Sequence, residues 1–121
     1  MGFDAIYISP VVKNTPGGYH GYWASEWDQI NQHFGTEEDL KDLVKEAHAL
    51  DMYVMVDVVA NHVGYVSNND FSSIKPFNDK SHYHKDCEIN DWYDRWQLEN
   101  CRLCGLPDLA QEHPFVRNYL K

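Results

Sequence analysis

The sequence predicts an α/β fold built from a strand, a helix and a second strand within residues 1–62. The main observation is the run 53–62, which is apolar, rich in β-branched residues and shows little alternation of polar and apolar positions. Such a strand is expected to be covered on both faces, as strands of parallel sheets are by their helices. A second apolar run, residues 3–10, and a helical pattern between the two complete a crossover unit, which is right-handed in nearly every protein.

The first strand, residues 3–10, ends at Pro10, which cannot continue a central ladder. Only Met1 and Gly2 precede it, so the chain is expected to be a piece of a longer protein. Residues 11–34 are rich in Gly, Asn and aromatic side chains and are predicted to form a loop without regular structure. Long loops are usually either functional or disordered, and the density of aromatic rings favours function.

The helix is predicted to begin directly after Thr36. Thr36 is a suitable N-cap residue, and Asp39 stands three positions later, as in a capping box. Acidic residues in the first turn suit the positive end of the helix dipole. The apolar positions that repeat at helical spacing are Leu40, Leu43, Val44, Ala47 and Leu50.

The second strand is predicted to run to Asn61 and His62. Side chains just past the carboxyl ends of parallel strands line the ligand sites of such folds, so these two residues are candidates for a functional site. Residues 63–111 are polar, aromatic and irregular. Residues 112–121 show the first turns of another helix, with apolar positions at Phe115, Val116, Tyr119 and Leu120.

Composition excludes several kinds of partner. The chain has 121 residues, of which 43% are hydrophobic, and this is enough for one small domain with a modest core. A net charge of −9 argues against nucleic acid and anionic membranes as partners, because no basic patch is available to neutralise phosphates. The apolar runs are too short to span a membrane, and no signal-peptide pattern opens the chain.

Two groups of residues could form a binding site near the end of the second strand. Asn61 and Asp108 could supply oxygen ligands to a hard cation such as calcium; alternatively, each of them only caps a local turn. Tyr22, Trp23 and His62 could form a carbohydrate subsite, with a ring stacked on the sugar and the imidazole donating to a hydroxyl. Alternatively, these three side chains are half-buried anchors of the loop.

The three cysteines allow two arrangements. A disulfide between Cys87 and Cys101 would stabilise the irregular segment by about 3 kcal/mol through loop-closure entropy, would indicate an oxidising compartment and would leave Cys104 unpaired. Alternatively, the three cysteines together with His82 or His84 could bind zinc tetrahedrally.

Five motifs extend the interpretation from the fold to a family. They are GFDAIYISP (residues 2–10), YHGYW (19–23), FGTEEDL (34–40), DVVANH (57–62) and GLPDL (105–109). Their types and order resemble the α-amylases of glycoside hydrolase family 13, most closely the fungal and related secreted eukaryotic members. The resemblance implies part of a (β/α)8 TIM barrel, from its second strand to the start of its third helix. Residues 1–62 would be barrel, residues 63–111 an irregular domain B inserted after the third strand, and residues 112–121 the start of the third helix.

The resemblance also implies a role for each candidate residue. The residues that resemble calcium ligands are Asn61, Asp108 and, through its backbone carbonyl, Glu99. Tyr22 resembles the ring that stacks on the sugar beside the cleaved bond, His62 resembles a donor to that sugar, and Trp23 and His20 flank the subsite. Cys87 and Cys101 match a domain B disulfide, whereas Cys104 has no counterpart. Asp51 stands where relatives often have Gly, and Asp tolerates the left-handed conformation better than most residues.

The family relation implies a secreted, calcium-dependent enzyme, acting outside the cell or in an endomembrane or lysosomal lumen. It would hydrolyse internal α-1,4-glucosidic bonds of starch or glycogen with retention, which requires two carboxylates. The family's catalytic acids lie on strands four, five and seven, outside this chain, so no catalytic residue is predicted here, and Asp57 is predicted to be structural and mid-strand. The alternatives are an α-glucosidase or glucanotransferase of the same family, or a non-catalytic sugar-binding barrel protein.

Overall fold

A computed structural model describes residues 2–121. The strands and helices in chain order are β1 (Ala5–Ile8), β2 (Val12–Asn14), β3 (Ala24–Ile30), α1 (Glu37–Ala49), β4 (Tyr53–Val56), α2 (Arg95–Asn100) and α3 (Pro114–Tyr119). Short 3₁₀ helices occupy Gln32–Phe34, Ser67–Asn69 and Lys80–His82. No helix among residues 2–121 is long and apolar enough to cross a membrane.

Strands β1 and β4 form a parallel pair, with Ala5 opposite Tyr53 and Ile8 opposite Val56, and α1 lies between them in the chain. The predicted strand–helix–strand unit is therefore confirmed. Strand β4 is shorter than predicted, because it ends at Val56 and not at His62. The last ladder hydrogen bond runs from the amide of Asp57 to the carbonyl of Ile8, after which Pro10 prevents β1 from continuing.

The expectation that both faces of these strands are covered is wrong for the described residues. Successive strand residues point to opposite faces, and the two faces differ in exposure. Ile6 and Val54 are half-buried, whereas Tyr7, Tyr53 and Met55 on the other face are 66%, 75% and 61% exposed. Two strands and one helix cover only one face of the sheet. Apolar side chains on the other face of β4 therefore stay exposed within residues 2–121.

The prediction that residues 11–34 form a loop without regular structure was wrong. They contain an antiparallel hairpin in which β2 pairs with β3, with Lys13 opposite Glu26 and Asn14 opposite Ala24. The register shifts twice within three residues of β2, which breaks the period-two pattern from which strands are recognised in sequence.

Helix α1 begins as predicted. Thr36 Oγ1 accepts a hydrogen bond from the Asp39 amide at 3.2 Å, and Asp39 Oδ2 accepts one from the Thr36 amide at 2.7 Å, which together form a capping box. Past the end of the helix, Asp51 adopts a left-handed backbone conformation with φ of +54°. This is the conformation that the sequence led us to expect at a position where relatives often have Gly.

The hydrophobic core lies in the second half of the chain. It consists of Val63, Phe71, Ile74, Phe77, Leu109 and Val116, all nearly inaccessible to solvent. The ring of Trp27 on β3 meets that of Phe77 edge-on at a centroid distance of 5.0 Å, so the hairpin packs against the same core. The predicted final helix is confirmed as α3, and its residue Val116 belongs to this core.

Cys87 and Cys101 form a disulfide, as the resemblance implied, and Cys104 is free and exposed. The disulfide closes a loop that spans 14 positions of irregular chain. Because it consumes two of the three thiols, the zinc arrangement is wrong. Within residues 2–121, no cluster of three or more His, Cys, Asp or Glu side chains is arranged to hold a metal ion.

Candidate functional site

The candidate site forms where the chain leaves β4 and meets a segment from much later in the sequence. The amide of Leu109 donates to the carbonyl of Asn61 at 2.8 Å, and the amide of Val63 donates to the carbonyl of Pro107 at 3.1 Å. These two hydrogen bonds flank an antiparallel bridge between His62 and Asp108. Backbone pairing therefore brings Asn61, His62 and Asp108 to one place, although His62 and Asp108 are 46 positions apart in sequence.

Asp108 is a buried carboxylate with polar neighbours. Its side chain is 4% exposed and hydrogen-bonds to the side chain of His84. Burial raises the pKa of Asp108, and the hydrogen bonds from His84 and Asn61 partly oppose that rise. A carboxylate in this position needs positive charge nearby in order to stay ionised.

His84 supplies such charge in the described chain. Its Nδ1 lies 2.6 Å from Asp108 Oδ2, and its Nε2 lies 3.0 and 3.1 Å from the two carboxylate oxygens of Glu112. Ionised carboxylates only accept hydrogen bonds, so when Asp108 and Glu112 are both ionised, both ring nitrogens of His84 carry hydrogen and the imidazole is protonated. Burial alone would lower the pKa of His84, but the hydrogen bonds to Asp108 and Glu112 raise it overall.

The oxygen donors at this point suit calcium, which prefers carboxylate, amide and carbonyl oxygens. Asn61 uses its Nδ2 amide to donate to His62, and its Oδ1 accepts no hydrogen bond from residues 2–121. The buried carboxylate of Asp108, whose pKa is raised by desolvation, lies on the segment whose backbone pairs with that of Asn61. Glu99 lies in the last turn of α2, where its side chain accepts from Arg95, and no described hydrogen bond links it to Asn61 or Asp108.

The four candidate sugar-site residues lie together. His62 Nε2 is 3.2 Å from the carbonyl oxygen of Tyr22, and the Tyr22 amide donates to His20 Nδ1 at 3.0 Å. The rings of His20 and Tyr22 are stacked at a centroid distance of 5.9 Å, and His20 meets Trp23 edge-on at 4.8 Å. Tyr22 keeps 42% of its surface exposed, so part of its ring is available to a ligand.

His62 is held as a neutral imidazole with a defined tautomer. Its Nε2 must donate, because its partner is the Tyr22 carbonyl, and its Nδ1 then accepts from Asn61 Nδ2 at 3.3 Å. Burial lowers the pKa of His62, and the hydrogen bond to Tyr22 opposes this only partly. A sugar hydroxyl that binds His62 would therefore have to replace one of these two partners.

Asp57 is a residue whose place in the site the sequence interpretation missed. It was expected in the middle of a strand, but it is the first residue after β4, and its Oδ2 accepts a hydrogen bond from the Tyr22 hydroxyl at 2.9 Å. The sequence feature that could have indicated a role for Asp57 in the site is its position as a single acidic residue within a run of valines. The contacts of His84 with Asp108 and Glu112 were also missed, since no spacing rule connects these three residues.

Comparison with known proteins shows the family of the chain. The family described as "Alpha amylase, catalytic domain" matches residues 1–121, which is the whole chain. The chain belongs to the α-amylase catalytic-domain family. The family resemblance seen in the motifs is thereby confirmed.

This α-amylase-family chain is 43% identical to the α-amylase of Saccharomycopsis fibuligera over 125 residues, which cover 93% of the chain and 25% of that protein. Among solved structures, it matches an α-amylase from Malbranchea cinnamomea with a TM-score of 0.91 and 42% identity, covering 98% of the chain and 27% of that structure. It also matches an α-amylase from Geobacillus thermoleovorans complexed with acarbose, with a TM-score of 0.86, 52% identity and coverages of 98% and 26%. The chain thus spans about a quarter of the length of the relatives it matches.

Proposed function

We propose that this chain is a segment of an α-amylase that hydrolyses internal α-1,4-glucosidic bonds of starch or glycogen with retention. One observation carries the proposal: past the end of β4, the imidazole of His62 hydrogen-bonds to the backbone carbonyl of Tyr22, whose ring is exposed, and the backbone of His62 pairs with that of Asp108. The solved structure from Geobacillus thermoleovorans holds acarbose, a ligand named with that protein. The overall match to that enzyme supports a sugar site here.

Tyr22 supplies the apolar surface of this sugar site. An aromatic ring stacks on the apolar face of a pyranose, and the ring of Tyr22 is exposed while its backbone is hydrogen-bonded on both sides. His20 and Trp23 pack beside it and limit the directions from which a sugar can approach.

Asn61 and Asp108 would hold a calcium ion, with the backbone carbonyl of Glu99 as a further ligand. Bound calcium supplies fixed positive charge, which keeps Asp108 ionised and ties oxygens from distant segments together. Backbone hydrogen bonds between residues 61–63 and 107–109 also join these segments, and they connect the irregular segment to the end of β4. The residues of this chain supply binding and orientation, and the two carboxylates of retaining hydrolysis come from outside it.

The disulfide supports a proposal about the cellular compartment of the protein. Disulfides persist in oxidising environments, so the Cys87–Cys101 bond favours secretion or residence in an endomembrane or lysosomal lumen.

The test is starch hydrolysis by the full-length protein that contains this segment. We expect release of reducing ends from soluble starch, with products that initially have the α configuration. Tyr22→Ala should lower kcat/KM about tenfold or more, because it removes a stacking surface. Tyr93→Ala is the matched control, since Tyr93 is 98% exposed. Absence of hydrolysis by the full-length protein, or equal effects of the two substitutions, would contradict the proposal.

A further inference from the structure

We propose that Asp57 is a positioning residue that fixes the orientation of the Tyr22 ring for sugar binding. The inference rests on the proposed function, in which Tyr22 is the stacking ring. It assigns a role to a residue that otherwise belongs to the end of the β1–β4 sheet.

The first step concerns the position of Asp57. Its amide donates to the carbonyl of Ile8 at 2.9 Å, so its backbone is fixed by the sheet and cannot move independently of β1. Its side chain is half-buried and receives the Tyr22 hydroxyl at 2.9 Å. The carboxylate therefore connects a rigid element to a side chain in the connection between β2 and β3.

The second step concerns what holds Tyr22. Two hydrogen bonds fix its backbone: its amide donates to His20 Nδ1, and its carbonyl accepts from His62 Nε2. Neither of them restricts rotation of the side chain. The ring stacks on that of His20 but is still 42% exposed, and the bond from its hydroxyl to Asp57 fixes the far end of the ring.

The third step concerns the carboxylate itself. An ionised carboxylate only accepts hydrogen bonds, so Asp57 can hold the Tyr22 hydroxyl as a donor. The same hydrogen bond is the largest cause of the raised pKa of Tyr22.

The fourth step explains why the bond to Asp57 should matter for function. A ring that is already oriented loses little conformational freedom when it binds a sugar, whereas a free ring must be ordered at that moment. The backbone around Tyr22 is itself constrained: Gly21 has φ of +96°, and a side chain at Gly21 would lie 2.4 Å from the carbonyl oxygen of Pro10. The loop can therefore not easily compensate for a misdirected ring.

A double-mutant cycle in the full-length enzyme tests the proposal. The variants are Asp57→Ala, Tyr22→Phe and the double variant, and the readouts are the Kd for acarbose by calorimetry and kcat and KM on soluble starch. We expect each single variant to weaken acarbose binding about five- to tenfold and the double variant to be no weaker than Asp57→Ala alone. Multiplied single effects in the double variant would overturn the proposal, because Asp57 would then act independently of the Tyr22 hydroxyl.

Two further variants separate positioning from general stability. Asp57→Glu keeps a carboxylate and should recover part of the acarbose affinity that Asp57→Ala loses. Asp57→Asn keeps the size of the side chain and should weaken binding about two- to threefold without lowering the melting temperature. If Asp57→Ala fails to fold, Asp57→Asn in the presence and absence of Tyr22→Phe decides the question by the same criterion. Asp28→Asn, an exposed carboxylate on β3, is the control.

The outcomes also distinguish this inference from the proposed function. A full-length protein that neither hydrolyses starch nor binds acarbose refutes the proposed function. A protein that does both, but in which the Asp57 and Tyr22 effects multiply, refutes only the positioning role.

Discussion

The Nδ1 atom of His84 lies 2.6 Å from Oδ2 of Asp108, and its other ring nitrogen reaches Glu112. One imidazole thus bridges a buried carboxylate and an exposed one, at the point where the irregular segment meets the residues before α3. Within residues 2–121 this imidazole is the basic group that pairs with Asp108. Bound calcium would take over part of its role as the positive charge beside that carboxylate.

His84→Ala should destabilise the full-length protein more when calcium is removed than when it is saturating. Without the imidazole, the buried carboxylate of Asp108 loses its charged partner, which costs about 1–3 kcal/mol. Bound calcium would supply replacement charge and reduce this cost. The measurement is urea unfolding in chelator and in excess calcium, with His48→Ala on the exposed face of α1 as control. Equal losses of unfolding free energy under both conditions would contradict the account.

Removing the disulfide should destabilise the irregular segment. Replacing both Cys87 and Cys101 by Ser opens a loop of 14 positions, for which loop-closure entropy predicts a loss of about 3 kcal/mol. Cys104→Ser is the matched control, because Cys104 is free and exposed. Thermal unfolding of the three proteins without reductant measures the effect, and a double variant as stable as Cys104→Ser would refute it.

Glu26 should contribute a stability that is lost on acidification. A hydrogen bond from Lys13, followed by the charges of Lys13 and Lys75, holds the pKa of Glu26 below its usual 4.5. A depressed folded-state pKa stabilises the protein above the unfolded-state pKa, and this contribution disappears as the pH falls through the folded-state value. Glu26→Gln should therefore narrow the difference in urea midpoint between about pH 6 and about pH 3.

The control for this experiment is Glu46→Gln, since the Glu46 carboxylate forms no ion pair within residues 2–121. Its acid dependence should equal that of the unmodified protein. If Glu26→Gln retained the full acid dependence, the ion pairs with Lys13 and Lys75 would not be the source of the stability.

Thr36→Ala should weaken the start of α1 by about 1 kcal/mol, because it removes the acceptor for the Asp39 amide. Hydrogen exchange of the first-turn amides in the full-length protein measures the loss locally. Lys45→Ala, at an exposed position of the same helix, should leave these rates unchanged. Equal exchange rates in the two variants would show that the capping box does not stabilise the helix.

The elements that local signals determine were predictable from the sequence. Thr36 and Asp39 sit at capping positions, and the apolar repeat of α1 follows them without interruption, so the helix was predicted almost to the residue. The hairpin was not predicted, because the register shifts within β2 remove the regular alternation that marks a strand. The end of β4 was misplaced because valine continues past Val56, whereas the ladder stops where its partner β1 meets Pro10.

The candidate site was partly predictable for a related reason. Asn61 and His62 could be placed at a strand end from the chain itself, where Asp108 was one possible partner of Asn61, and the resemblance favoured that pairing. The hydrogen bonds of Asp57 to Tyr22 and of His84 to Asp108 depend on how distant segments fold back, so no pattern within either segment shows them.

Calcium titration of the full-length protein by calorimetry tests most directly whether Asn61 and Asp108 bind calcium beside the sugar site. We expect a calcium site whose affinity falls at least a hundredfold in Asp108→Asn and substantially in Asn61→Ala. Asp70→Asn, in which the altered carboxylate otherwise accepts only from nearby Ser72, should bind calcium as the unmodified protein does. Unchanged calcium affinity in both Asp108→Asn and Asn61→Ala would contradict the account.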